Sequence, residues 1–264
     1  MTTLMNGYRI VTVLLTAATL TGCDKNSVQQ LPFEPLLGAR VKFFNFGVNA
    51  PGVNFYADQT KMTAIQSGTE SEATTGVAYG AAGNGGVYLA IAPATYTLTG
   101  RIAAATDKDL TVSTVTTTIA DGKYYSFYMS GFYNATAKTV DGFVLEDAVF
   151  EPTDYAVAYV RFVNTISNAN PMILYATKAT PPDSGAVVTV GAAVAYKGAN
   201  AFTALPTGVY DLTTRYTDST TNKIRRPAVS FLGGRIYTIG ARGDITITDS
   251  TNARRPMLDN TANR

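Results

Sequence analysis

Five short blocks of this sequence occur twice in the same order, so the chain is expected to fold as two repeated units. Ala39-Arg40-Val41-Lys42-Phe43-Phe44-Asn45 returns as Ala158-Tyr159-Val160-Arg161-Phe162-Val163-Asn164. Asn49-Ala50-Pro51 with Asn54-Phe55-Tyr56-Ala57 returns as Ala169-Asn170-Pro171 with Ile173-Leu174-Tyr175-Ala176, and Val77-Ala78-Tyr79 as Val194-Ala195-Tyr196. Ile91 to Leu98 answers Ala204 to Leu212, and Asp121 to Phe127 answers Gly233 to Ile239. The offset drifts from 119 residues (Phe43 to Phe162) to 112 (Tyr125 to Tyr237), as loop-length changes between two copies would produce.

Within each unit the pattern is alternation broken by turn residues. Arg40 to Phe46, Tyr96-Thr97-Leu98 and Asp244-Ile245-Thr246-Ile247 alternate; Thr, Val and Tyr fill such runs, and Gly, Asn, Asp and Pro separate them. No stretch after the leader carries a capped stripe at helical spacing. The expected fold is all-β: two tandem immunoglobulin-like β-sandwich domains of roughly seven strands each, after a leader. The expected boundaries are a signal peptide at 1–22, a lipidated N-terminus and linker at 23–37, and a first sandwich at 38–152. A second sandwich at 155–248 and a flexible C-terminal tail at 249–264 complete the division, with the junction near Glu151-Pro152-Thr153-Asp154. In the Pro206-Thr207-Gly208-Val209-Tyr210 and Gly233-Gly234-Arg235-Ile236-Tyr237 turns, the Tyr ring should pack inward while its hydroxyl finds a backbone partner.

Composition narrows the chemistry. There is no His, and the one Cys is Cys23. Zinc sites of Cys and His, His-held haem, Ser-His-Asp triads and internal disulfides are thereby excluded. Hydrophobic residues make up 46% and charged ones 15%, a balance that favours folded cores over disorder. The formal charge of +2 leaves no basic stripe for phosphates, so no nucleic-acid partner is expected. No cofactor and no metal are expected either.

The N-terminus reads as an address. Ile10 to Leu20 is an apolar run behind Arg9. As a helix it would rise roughly 16 Å, about half of a ~30 Å hydrocarbon core, which suits a secretory signal rather than a spanning anchor. Leu20-Thr21-Gly22-Cys23 resembles the bacterial lipobox, in which small residues admit the peptidase and the thiol takes a diacylglycerol. Cys23 is therefore the expected lipidation site, the membrane is a partner through that lipid, and the expected location is the cell envelope, at the outer membrane with its periplasmic or surface face open; Asp24 behind the Cys would favour the inner membrane under the sorting rule of enteric bacteria. Two or three acyl chains, at roughly 0.8 kcal/mol per buried methylene, make such an anchor effectively permanent.

The blocks Val160-Arg161-Phe162-Val163-Asn164, Leu205 to Tyr210 and Gly234 to Thr238, with their first-half counterparts, resemble the bacterial domain of unknown function 4397. The first copy departs from it in having Ala94-Thr95 where the second has Thr207-Gly208, and in a Gly-rich insertion. The resemblance implies tandem immunoglobulin-like domains in envelope lipoproteins, often from Bacteroidetes. It carries over no catalytic residues.

Few residues suggest a site. Alternation through Tyr124 to Met129 puts Tyr125, Phe127 and Met129 in the core, and Tyr124 and Tyr128 outward with Tyr133 nearby. That strip could contact an envelope protein or a glycan, or could be covered by the other domain or a loop. Gly80 to Gly86 lacks the ending of a phosphate loop and reads as a hairpin. Asp107 with Asp109, and Asp218 with Asn222, do not complete a calcium loop. Arg242-Gly243-Asp244 spells an integrin-type tripeptide at a turn. Asp218-Ser219-Thr220 and Asp249-Ser250-Thr251 resemble envelope glycosylation sites. The expected function is a non-enzymatic, lipid-anchored binding or scaffolding module. The alternatives are a glycan- or protein-capturing lipoprotein of an outer-membrane uptake system, and a carboxylate-based hydrolase.

Overall fold

The structure, a computed structural model, describes residues 38–65 and 72–263. The expected leader, the Cys23 lipidation site and the linker lie outside the described residues.

In the first half, β1 (Ala39–Asn45), β2 (Val53–Ala57), β3 (Thr60–Lys61), β4 (Ala81–Ala82) and β5 (Leu89–Ile91) precede four longer strands. These are β6 (Ala94–Ile102), β7 (Thr111–Ile119), β8 (Tyr124–Asn134) and β9 (Thr139–Asp147). The second half begins with β10 (Val157–Asn164), β11 (Met172–Lys178), β12 (Val187–Val194), β13 (Gly198–Ala199) and β14 (Thr203–Pro206). It ends with β15 (Gly208–Tyr216), β16 (Ile224–Phe231), β17 (Ile236–Arg242) and β18 (Met257–Ala262).

Each half is a sandwich of two sheets. The order β4-β1-β8-β9, with β5 also on β1, faces the order β3-β2-β6-β7. The second half has β13-β10-β17-β18, with β14 on β10, against β12-β11-β15-β16. Every strand of the first half thus has its counterpart nine strands later in the same place. In each half the opening strand pairs in parallel with the eighth, Phe43 beside Phe127 and Phe162 beside Ile239.

Alternate residues of the sheets fill the two cores. In the first, Phe43 stacks on Phe55 at 5.2 Å, and Phe55 meets Phe127 edge-on at 5.5 Å. Phe162, Leu174, Leu212, Phe231 and Ile239 form the centre of the second. Full burial of each such side chain contributes roughly 1.5–3 kcal/mol. Tyr125, Phe127 and Met129 lie in the first core, as alternation required.

The turn tyrosines behave as their sequence implies. Tyr210 is buried and its hydroxyl donates to the Pro206 carbonyl at 2.6 Å; Tyr96 does the same to Ala92 at 3.1 Å. The hydroxyls of Tyr125 and Tyr237 each accept a backbone N–H, from Ala120 and Leu232, at 3.2 Å.

Three expectations are corrected. Each half has nine strands rather than seven, because strands of two to four residues close the edges of the β1 and β10 sheets. Asp244 to Ile247 is a turn rather than a strand: the Asp244 carboxylate accepts the Thr246 N–H at 3.0 Å and its hydroxyl at 2.7 Å, holding the backbone bent. The segment expected as a flexible tail contains β18, paired with β17 from Tyr237–Ala262 to Arg242–Met257, with Leu258 buried in the second core. The second sandwich therefore extends beyond residue 248.

Candidate functional site: the seam between the sandwiches

The outer face of the β1-β8-β9 sheet is not solvated. Its register aligns Phe44, Tyr128 and Phe143 across three strands. Their rings form a ladder, Phe44 on Tyr128 at 4.7 Å and Tyr128 on Phe143 at 5.2 Å, all nearly parallel. Phe46 and Val163 of β10 complete this third apolar cluster, so the ladder packs against the corresponding sheet of the second half. The positions opposite are small: Val163 pairs with Gly240, whose missing side chain admits Phe46 to within 3.4 Å of where a Cβ would stand. Aromatic bulk on one sheet meets a hollow on the other.

Of the two readings of the tyrosine strip, a contact surface or one covered by the other domain or a loop, the structure fits the covered one. Tyr128 is 1% exposed, within the seam. Tyr124 is half-buried and stands edge-on to Tyr88 at 4.9 Å. Tyr133 packs against the first core, because a register shift at Gly131 (φ 78°) turns the end of β8 over. The three rings share no surface.

Flanking the ladder, the polar contacts of the seam come in pairs related by an approximate two-fold axis. Lys42 and Arg161 occupy the same position of β1 and β10, beside Ser126 and Thr238. Each crosses to the other sandwich. Lys42 Nζ donates to the Ala262 carbonyl at 2.8 Å, and Arg161 to the Glu146 carbonyl at 3.3 Å. Each sits over an aromatic ring of its own half, Lys42 over Tyr88 at 4.1 Å and Arg161 over Phe202 at 5.2 Å. Beyond the carbonyl lies one further partner, and here the pairs differ. Arg161 meets the carboxylate of Asp147 in an ion pair with both side chains almost fully buried. Lys42 meets the neutral amide of Asn263, Oδ1 at 3.3 Å.

That difference leaves charge unbalanced. Asp147 also accepts from Ser126 at 2.6 Å and from Tyr88 at 2.7 Å, and its field reaches Lys42, so one carboxylate serves two buried cations. No carboxylate among the described residues lies within ion-pair distance of Lys42. Burial dominates, and it pulls the Lys42 ammonium from 10.5 down to about 8 despite the field of Asp147. Burial likewise pushes the Tyr88 and Tyr128 hydroxyls well above the usual phenol range.

Beside Lys42 the seam opens into a cleft of about 630 Å³, within the range of small-molecule sites. Phe44, Phe46 and Tyr88 supply apolar wall, and Arg226, Asp259 and Asn260 supply polar wall. Its rim is the Gly-rich segment expected as a hairpin, a tight turn at Gly83–Gly86 with Asn84, Gly85 and Gly86 in the left-handed region. The segment is longer than its counterpart: seven positions separate Ala82 from Leu89, against four from Ala199 to Thr203. On the opposite side of the axis Phe150, from the connector between sandwiches, packs edge-on to Phe202 at 5.9 Å. Sequence reasoning missed Lys42. The signal was present, a basic residue at one repeated position amid apolar neighbours.

The remaining candidates are structural. Arg242 is 8% exposed and ion-paired with Asp259 in the seam, so the integrin-type tripeptide is not displayed. Asp107 pairs with Lys138 at 2.7 Å and Asp109 accepts from Tyr56 at 3.2 Å. Among the described residues no group of three or more Asp and Glu is placed to hold a metal. Asp249 accepts from the Thr251 hydroxyl at 2.8 Å within a turn.

Comparison with known proteins gives similarities to solved structures and to a family profile. The chain is similar to a solved structure described as a "putative cell adhesion protein" from Bacteroides ovatus, at 10% identity and a TM-score of 0.27 over 86% of this chain and 96% of that one. No curated protein matches. The sequence profile of the domain of unknown function DUF4397 matches residues 39–175, the whole first sandwich and the second as far as β11. With more than half its length under that profile, the chain belongs to the DUF4397 family.

Proposed function

We propose that this protein is a lipid-anchored component of the cell envelope, built from two DUF4397 units, that works by contact and not by catalysis. Acylation at Cys23 would hold it at the outer membrane. The observation that carries the reading is the seam: two sandwiches fastened face to face, with an open, chemically mixed cleft along one side. The alternative of a capturing lipoprotein for an uptake system draws support from the cleft's size, which suits a small ligand better than a protein surface. The Tyr124–Tyr128 surface has no part in either reading.

Two measurements test it. Cys23→Ala should abolish palmitate incorporation and release the protein from membranes; persistent labelling would sink the anchor. A photo-crosslinking residue at Val87, 58% exposed on the cleft rim, should capture an envelope component in cells. A rim that captures nothing, with the anchor intact, would remove the contact role.

A further inference from the structure

The two sides of the approximate axis pose the same electrostatic problem, and the protein solves it on one side only. Beside Arg161 it supplies Asp147. Beside Lys42 it supplies Asn263 and a cleft. A buried cation that must share its counter-charge, Asp147, with Arg161 is under-compensated, so an anion entering there would gain more than it could at the surface.

We propose that the cleft is a binding site for a carboxylate-bearing ligand of sugar-acid size, whose carboxylate meets Lys42 from the cleft and supplies there the counter-charge that Asp147 supplies to Arg161. The inference rests on the contact reading above and names its ligand class. Two of the three ammonium protons are directed at the Ala262 carbonyl and Asn263 Oδ1; the third has only the Tyr88 ring, 4.1 Å away, and a ligand carboxylate would be the stronger acceptor. Arg226, held at the far wall by the Leu258 carbonyl at 2.6 Å, adds a second cation. The walls then select the rest of the molecule. Phe44, Phe46 and Tyr88 favour a C–H face, while Asp259 and the buried, donor-less Oδ1 of Asn260 call for hydroxyl donors. A sugar acid offers a carboxylate, an apolar ring face and hydroxyls together. The three-residue-longer Gly-rich rim keeps this side open.

The test is titration of the detergent-solubilised full chain with glucuronate, and with glucose as the neutral counterpart, followed by calorimetry. Glucuronate should bind at least tenfold more tightly than glucose. Lys42→Met should weaken glucuronate at least tenfold. Asn263→Asp should weaken it as much while the protein stays as stable or gains stability, because an internal carboxylate then supplies the counter-charge. With 13C-methylated lysines, the Lys42 resonance should titrate near pH 8 in the free protein and move upward with ligand. Equal affinity for both sugars, or unchanged glucuronate binding in Asn263→Asp, overturns the proposal. Should that happen while the Val87 crosslink still captures an envelope component, the ligand class fails and the contact role stands.

Discussion

Tyr128 lies flat against Phe44, centroids 4.7 Å apart and planes 11° from parallel, in a place where alternation alone would have put a solvent-facing ring. Its other face meets Phe143, so the phenol is the middle rung of a ladder clamped by the second sandwich. Removing the rung leaves a cavity that neither sheet can close. Tyr128→Ala should cost about 3–5 kcal/mol in urea unfolding, and Tyr128→Phe under about 1.5 kcal/mol. Equal effects of the two changes would show that the ring is not what the seam uses.

The Arg161–Asp147 pair allows a sharper experiment. Asp147→Asn leaves Arg161 and Lys42 both buried without a carboxylate, and should destabilise by about 3–5 kcal/mol. Arg161→Met with Asp147→Asn together should cost less than the sum of the single changes, since the second removes a charge that the first stranded. Additive losses in a double-mutant cycle would mean the two side chains do not interact.

Lys42 gives a pH dependence whose sign follows from its depressed pKa. Below about pH 8 it is charged folded and unfolded, and the burial penalty is fully present. Between pH 8 and 10 the unfolded chain still binds its proton while the folded one has released it, so stability should rise with pH, by up to ~3 kcal/mol. The groups facing it, Asp147, Arg161 and Tyr88, do not reverse that sign. Above pH 10, Tyr88 and Tyr128 ionise more readily once unfolded, and stability should fall. Lys42→Met should flatten the rise and keep the fall. Chemical denaturation at pH 7, 9 and 11 reads both.

Asn45 and Asn164, the last residues of the first repeated block, close equivalent turns. Each Oδ1 accepts a backbone N–H two residues on, Gly47 at 3.3 Å and Ile166 at 3.0 Å. Each amide donates to the carbonyl of the Val that opens the third block, Val77 at 2.8 Å and Val194 at 3.1 Å. Asn164→Ala should cost about 2–3 kcal/mol, and Asn164→Asp at least as much, because the carboxylate cannot donate. Full stability in Asn164→Asp would refute this account.

These asparagines explain why so much of the fold was legible. Their pattern, apolar alternation ending in a side chain that must bond to its own backbone, is local, and so are the Tyr210 and Tyr237 turns. What sequence could not supply was the identity of whatever covers an outer sheet face. The run from Arg40 to Phe46 alternates as a half-buried strand would, yet both faces of β1 are largely buried because a second sandwich lies on it. β18 was missed for a related reason. Met257-Leu258-Asp259-Asn260-Thr261-Ala262 has a single core anchor, and its Asp and Asn are poor strand formers that serve the seam instead.

The parallel pairing of each half's first strand with its eighth bears on how the chain acquires its shape. Hairpins such as β6–β7 and β8–β9 need only neighbours and can form early. The opening strand must instead wait, unpaired along that edge, until six further strands have been made, and the wait occurs once per half. Such non-local closure is slow. For as long as it lasts, Phe43, Phe44 and Phe46 lie exposed together, which makes the first strand the segment of this chain most in need of protection while it is being born.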